Sequence, residues 1–234
     1  MSARPELNLD SESSDWKEAK KKLCSMDKEK RREMYRIDLI PLQKISICSP
    51  SGDSSCKPRY KVSEELNKKI SLFSGDITKL EINAVANTAN KTLLGGEGDI
   101  IHNVGPIVHE REMRNCYYNC LQTATKNHLQ TVAFPFISTG VYSRAITAIS
   151  PDQAVEVALR TVREYLEQKP REGLDWVIFC VFLKSDKELY ETVLPACFPQ
   201  AVYRQTHNPR FCQLNGARYH SQPCHFILVL CRSL

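Results

Sequence analysis

Three short runs of this 234-residue chain carry the residue types that hold a polar ligand. The first is Gly75-Asp76-Ile77. A carboxylate there can accept a hydrogen bond from an exocyclic amine such as that of adenine, and the glycine lets the chain turn tightly. An ordinary Asp cap on a turn or helix is the plainer account of the same residues. The second run is Asn87-Thr88-Ala89-Asn90, which continues through Leu93-Leu94 into Gly95-Gly96-Glu97-Gly98-Asp99. Amide side chains ahead of a glycine-rich turn suit ligand oxygens that approach backbone N–H groups, although such a run also makes a flexible linker. The third is Phe136-Ile137-Ser138-Thr139-Gly140-Val141-Tyr142. A strand that runs into Ser-Thr-Gly presents successive amides and hydroxyls to an anion, and a following helix adds its N-terminal dipole. A tight strand-to-helix turn explains those residues equally well.

The surrounding pattern supplies elements to position these runs. Strands are expected at Ile70–Phe73, Ile82–Ala86, Ile100–Val104, Thr131–Ile137 and Val177–Leu183. The last is a continuous apolar run, as expected of a strand covered on both faces. Met113, Cys116, Tyr117, Cys120, Leu121 and Ala124 recur at helical spacing, as do Ala154, Val155, Ala158, Leu159, Val162 and Leu166. Asp186 is placed to cap a last helix that presents Leu189, Tyr190, Val193 and Leu194. Strands alternating with helices predict an α/β sandwich on a mixed, substantially parallel sheet. All three runs then fall at carboxyl ends of strands, where open α/β sheets bind ligands. One interval fits badly. Only thirteen residues separate Ala86 from Ile100, and a parallel crossover through a helix takes about a dozen plus turns. Either those strands are not parallel neighbours or a helical unit is absent.

Composition bounds the rest. Residues 1–15 are polar and read as disordered. Residues 16–69 read as a helical extension and linker, dense in Lys, Glu and Arg as far as Tyr35 and rich in Ser, Gly and Pro over 47–62. Residues 70–199 form the main domain, and 200–234 a tail expected to be poorly ordered. The basic excess sits in the flanks: residues 70–199 hold 12 basic and 15 acidic groups, whereas the tail holds four arginines and no acid. That argues against a specific nucleic-acid groove in the domain. The longest late apolar run, Phe226-Ile227-Leu228-Val229-Leu230-Cys231, is far short of the roughly 18 residues of a membrane span. The start has no apolar signal core, and the cysteines show no CxxC pair, so a reducing, cytoplasmic or nuclear setting is expected. Cys116, Cys120 and Cys180 fall in apolar segments and read as buried free thiols. In the tail, His207, Cys212, His220, Cys224, His225 and Cys231 lack regular ligand spacing, so no metal site is expected.

In order and spacing the three runs resemble the macrodomain family, whose pattern is Gly-Asp-Ile, then Asn-Ala-Ala-Asn with Leu-Leu-Gly-Gly-Gly-Gly, then Ile-Ser-Thr-Gly. The similarity is greatest to MacroD-type mono-ADP-ribosyl hydrolases. It takes in DWKEAKKKL, IPLQKI, IHNVGP, VAFPFISTG and VIFCVFL, over roughly residues 16–199. The resemblance implies a three-layer α/β/α sandwich that binds ADP-ribose and acts on mono-ADP-ribosylated proteins as a monomer, without cofactor or metal. Asp76 and Ile77 would hold adenine, with Phe182 stacked near it. Ser138, Thr139, Gly140, Val141 and Tyr142 would cradle the diphosphate. Asn90 would orient the distal ribose, and Gly95, Gly96 and Gly98 would wrap the ribose and its phosphate. The implied activity removes ADP-ribose from acidic side chains or deacetylates O-acetyl-ADP-ribose. Asn90 and Asp99 would be its catalytic residues, orienting a water for attack.

The chain departs from that pattern in four places. Glu97 replaces a loop glycine, and Asp99 follows Gly98 one residue early. The helix and strand expected next are missing, so Asp99 runs directly into Ile100-Ile101-His102-Asn103-Val104. After Tyr142, Ser143 to Ser150 lengthens the loop and lacks the family's Gly-Phe-Pro; Arg144 within it reads as an exposed side chain. Three functions stay open from residues alone: a hydrolase, an ADP-ribose-binding module without turnover, and a destabilised variant chain with neither.

Overall fold

The computed structural model describes residues 25–34, 38–47, 57–89, 100–104, 110–137, 149–168 and 173–200. A short parallel pair joins β1 (Ile40–Pro41) to β3 (Leu80–Glu81). The main sheet has five strands: β2 (Ile70–Ser74), β4 (Ala84–Ala89), β5 (Ile100–Val104), β6 (Thr131–Pro135) and β7 (Trp176–Val181). Among the described residues its order is β2-β7-β6-β4-β5 and every pairing is parallel. The helices are α1 (Lys28–Met34), α2 (Glu64–Asn67), α3 (Glu110–Lys126), α4 (Pro151–Gln168) and α5 (Lys184–Cys197).

The two-residue period of the central strands divides the core. Val132, Phe134, Val177, Phe179 and Val181 pack with α3, α4 and α5 in one cluster. The intervening Ala133, Trp176 and Ile178 turn the other way, against Ile45 and Leu80 from the segments before and after β2. All six residues of β7 are buried, as its unbroken apolar run predicts. The predicted stripes of α3 and α4 are also the buried ones, Met113 to Ala124 and Ala154 to Leu166. On the second face the described cover is the segment 38–47 and the 3-10 turn Ile77–Lys79. Cys116, Cys120, Cys180 and Cys197 are buried and form no disulfide.

Of the boundaries that differ from the sequence reading, four have a local reason. Pairing of β4 begins at Ala84 rather than Ile82, because Asn83 Oδ1 accepts from the N–H groups of Gln130 and Thr131 and so ties the chain to the entry of β6. Strand β6 stops at Pro135, which has no N–H to donate onward. β7 stops at Val181, short of Leu183, which is the N-cap residue of α5. Asp186 therefore does not cap that helix. It lies inside the first turn, where a carboxylate is still favoured by the helix dipole.

The stretch read as a linker ends in an anchored strap. The Arg59 N–H donates to Ala196 O at 2.9 Å, and Tyr60 packs on the core. Arg163, only 1% exposed, donates to Lys61 O at 2.8 Å, Cys197 O at 3.1 Å and Glu167 Oε1 at 2.8 Å. Its guanidinium lies over the rings of Tyr60 and Phe198, at 5.3 and 5.5 Å. One buried cation thus joins the strap, α4 and the end of α5.

The short interval resolves in favour of a missing unit. β4 and β5 are parallel neighbours, with Val85 beside Ile100 and Ala89 beside Val104. The chain must therefore return from the end of β4 to the start of β5, about 13 Å for four residues of strand. Ten residues, 90–99, make that return. They reach far enough when extended, but number fewer than the dozen or more of a helical crossover.

Candidate functional site

Because the main strands are parallel, their carboxyl ends lie along one rim. From β2 the chain leaves into Gly75-Asp76-Ile77, and from β7 into Phe182-Leu183. From β6 it leaves through Phe136-Ile137 toward Ser138, and from β4 toward Asn90. Given the strand order, these exits are ranked β2, β7, β6, β4. At the usual strand spacing the row is about 14 Å long.

The β2 end of the row is built in detail. Ser74 pairs with Val181, and the Gly75 N–H donates to Val181 O at 3.0 Å, so Asp76 and Phe182 leave adjacent strands side by side. Gly75 has φ +156°, and a Cβ there would meet the Phe73 ring at 2.9 Å. Both facts favour glycine at this position. Asp76 Oδ1 accepts from the Thr78 N–H at 2.9 Å and the Thr78 hydroxyl at 2.7 Å, capping the 3-10 turn. Those two bonds hold its carboxyl below the usual range, so it is ionised at neutral pH. They use one oxygen. Asp76 is exposed and, among the described residues, no hydrogen bond engages the other oxygen, so the capping and binding accounts of this residue are compatible.

Phe182 is 82% exposed and Leu183 49%, which makes a large apolar surface at the rim beside that carboxylate. Ile77 is half-buried and, like Phe73, packs against the second cluster. Beneath them the Cys180 thiol donates to Gly75 O at 3.3 Å. Burial, with a smaller contribution from the Asp76 charge, pushes that thiol up to about 12, so it packs as a hydrophobe and is no nucleophile. Below the β6 and β7 exits the rings of Tyr117, Phe134, Phe179, Tyr190 and Phe136 follow one another with centroids 4.9 to 6.4 Å apart.

Of the residues singled out from sequence, Asp76, Ile77 and Phe182 are thus brought together. Asn90, Gly95, Gly96, Gly98, Asp99 and Ser138 to Tyr142 lie outside the described residues, as do Glu97, Arg144 and the tail's His and Cys residues. Sequence reasoning passed over Thr78, which fixes the Asp76 rotamer. Its signal was the Asp-x-Thr spacing of a side-chain-capped turn. It also passed over Leu183, whose exposure only the early end of β7 reveals. Among the described residues no group of His, Cys, Asp and Glu is placed to hold a metal ion, and no helix is long and apolar enough to cross a membrane. A separate surface cavity of about 340 Å³, lined by Arg32, Asp38, Leu39, Pro41 and Lys44, contains none of the predicted site residues.

Residues 99–158 match the Macro domain family. The ADP-ribose glycohydrolase MACROD1 of Rattus norvegicus is 36% identical, covering 86% of this chain and 94% of its own length. The ADP-ribose glycohydrolase MACROD2 of Xenopus laevis is 34% identical, covering 79% and 55% respectively. The stretch aligned with the rat protein is 252 residues long yet uses 86% of a 234-residue chain, about 201 residues, so some fifty aligned positions lack a counterpart here. Among solved structures, the macro domain of ganglioside induced differentiation associated protein 2 superposes with a TM-score of 0.59 at 23% identity, over 71% of this chain and 100% of that one. The Trypanosoma brucei macrodomain in complex with ADP-ribose gives 0.56 at 23% identity, over 73% and 84%. At that identity the structures speak to fold.

Proposed function

This chain belongs to the macrodomain family, in its MacroD-type branch, and from that premise we propose that it binds ADP-ribose along the rim of its parallel sheet. The observation that carries the reading is the match between the order of the strand exits and the order of the ligand's parts. Asp76, Ile77 and Phe182 at β2 and β7 would take adenine, with the free carboxylate oxygen accepting from the exocyclic amine and the exposed ring stacking on the base. Ser138 to Tyr142, entered from β6, would take the diphosphate on backbone amides and hydroxyls. Asn90 and Gly95, Gly96 and Gly98, entered from β4, would take the distal ribose. A row of about 14 Å suits an extended ligand of that kind.

The same reading assigns the chain to binding rather than turnover. Water-mediated cleavage of an ADP-ribosyl ester needs the attacking water held within a fraction of an ångström of its line. Asn90 and Asp99 sit at the two ends of the ten-residue return from β4 to β5, where the helical crossover has no room. The Macro domain match begins only at Asp99, the last residue of that return. Glu97 adds a negative charge to the loop that would face a phosphate. The partners are then ADP-ribose itself and proteins mono-ADP-ribosylated on acidic side chains.

Titration calorimetry of the full chain with ADP-ribose tests the binding claim, and no heat at millimolar ligand overturns it. Release of ADP-ribose from a glutamate-modified protein tests the rest. The wild-type chain is expected to release it at the background rate of Asn90→Ala. A wild-type rate clearly above that background restores the hydrolase reading.

A further inference from the structure

β5 is the last strand of the sheet, and among the described residues nothing pairs with its outer side. A strand edge of that kind presents a row of unpaired N–H and C=O groups and templates the addition of another strand. Proteins guard such edges with lysine, proline, charge or a covering segment. The opposite edge, β2, has these guards: Lys68 and Lys69 precede it, and the Ser71 hydroxyl donates to Ser46 O at 2.9 Å, which brings the segment 38–47 against it. Ile100-Ile101-His102-Asn103-Val104 contains no lysine, arginine, acid or proline. The edge is also new to this chain in one respect: the return that leads into β5 is too short for the helix a crossover would bring.

We propose that Phe226-Ile227-Leu228-Val229-Leu230-Cys231 of this chain's own tail adds to the outer side of β5 as a sixth strand. Three observations select that occupant. It is six consecutive apolar residues without charge or proline, close to the usual strand length of about 5–6. It can arrive: 25 residues, 201–225, lie between it and Gln200, a chain length with a typical reach of roughly 28 Å, and the five strand spacings from β2 to the position outside β5 are about 24 Å. Charge favours its return to the domain as a whole, because the tail carries four arginines and no acid while residues 70–199 have three more acidic than basic groups. Tethering makes the effective concentration of the segment on the order of millimolar, well above that of a second copy in dilute solution. The tail thus supplies strand pairing on an edge that no described residue pairs.

Residue-resolved hydrogen exchange of the full-length protein decides this. In a parallel sheet alternate amides of a strand point to opposite neighbours, so β5 has one set facing β4 and another facing outward. The outward set, and alternate amides of 226–231, are expected to exchange at least tenfold more slowly than unprotected amides. Val229→Pro should return both sets to unprotected rates and leave the protection of β6 and β7 unchanged, since it alters only the tail. Light scattering should give a monomer mass throughout. Unprotected outward amides in the wild type overturn the proposal. So does protection that survives Val229→Pro. Protection that grows with concentration alongside a dimer mass also overturns it and assigns the edge to a second copy.

Discussion

Asp76→Asn separates the two jobs assigned to one carboxylate. Oδ1 is committed to Thr78, accepting from its N–H at 2.9 Å and its hydroxyl at 2.7 Å. The N–H demands an acceptor, so an asparagine must turn its oxygen to Thr78 and its NH2 outward. The cap of the 3-10 turn is kept, because Asn and Asp serve about equally well in that role. The outward group changes from acceptor to donor and meets the exocyclic amine of adenine donor to donor. Loss of one charge-assisted hydrogen bond weakens binding by roughly ten- to a hundredfold in Kd. The melting temperature of the free protein should move by no more than about 2 °C, as befits a surface change that keeps its local bonds. An analogue carrying a 6-oxo group in place of the amine reverses the preference: it is repelled by the wild-type carboxylate and accepted by the variant. Calorimetry with both ligands on both proteins is the assay. If Asp76→Asn binds ADP-ribose within about threefold of wild type, or if the two ligands keep the same ranking, the carboxylate does not read the base and the adenine assignment is wrong.

Phe182→Ala should weaken ADP-ribose binding by roughly fivefold or more through loss of stacking, without lowering the melting temperature, because the ring is 82% exposed; unchanged affinity removes Phe182 from the site. Arg163→Met strands the buried carbonyl of Cys197 and the partly buried one of Lys61 and should destabilise the domain by about 3 kcal/mol or more, read from urea unfolding; a loss below about 1 kcal/mol would show that the strap does not depend on the clamp. Alkaline stability follows from groups that stay protonated longer in the fold: Cys180 is pushed up to about 12 and Cys197 to about 11 by burial, and Tyr60 to about 12 by burial and the nearby Glu164. Their contribution is complete below the unfolded values near 9 and 10 and is lost as pH rises toward 12, so the melting temperature should fall from about pH 9 upward; a flat profile between pH 8 and 11 refutes it. Binding of ADP-ribose should be level from pH 5 to 8, since Asp76 is held below its usual value and loses its charge only in stronger acid.

Periodicity carried the elements. The stripes on α3 and α4 and the unbroken run in β7 are direct consequences of which residues exclude water, and each appears where its pattern predicts. The interval between Ala86 and Ile100 likewise announced an irregularity, because the residue count of a crossover is a geometric minimum. Boundaries were less legible. The start of β4 is set by Asn83 reaching Gln130 and Thr131, nearly fifty residues away in sequence. No local window contains that bond.

The Gly-Asp-Ile, Asn-Thr-Ala-Asn and Ile-Ser-Thr-Gly runs, their order and the two readings of the short interval were determined by sequence alone, since each depends only on residue type and spacing. Tertiary structure decided that β4 and β5 are parallel neighbours, and so which of those two readings holds. It also decided that Asp76 and Phe182 stand side by side on β2 and β7, more than a hundred residues apart in the chain. It showed that Asp76 caps a turn through Oδ1 alone while its side chain stays exposed. Such facts depend on the register between strands, which is set by the packing of two faces at once, and a one-dimensional pattern specifies the faces without specifying their partners.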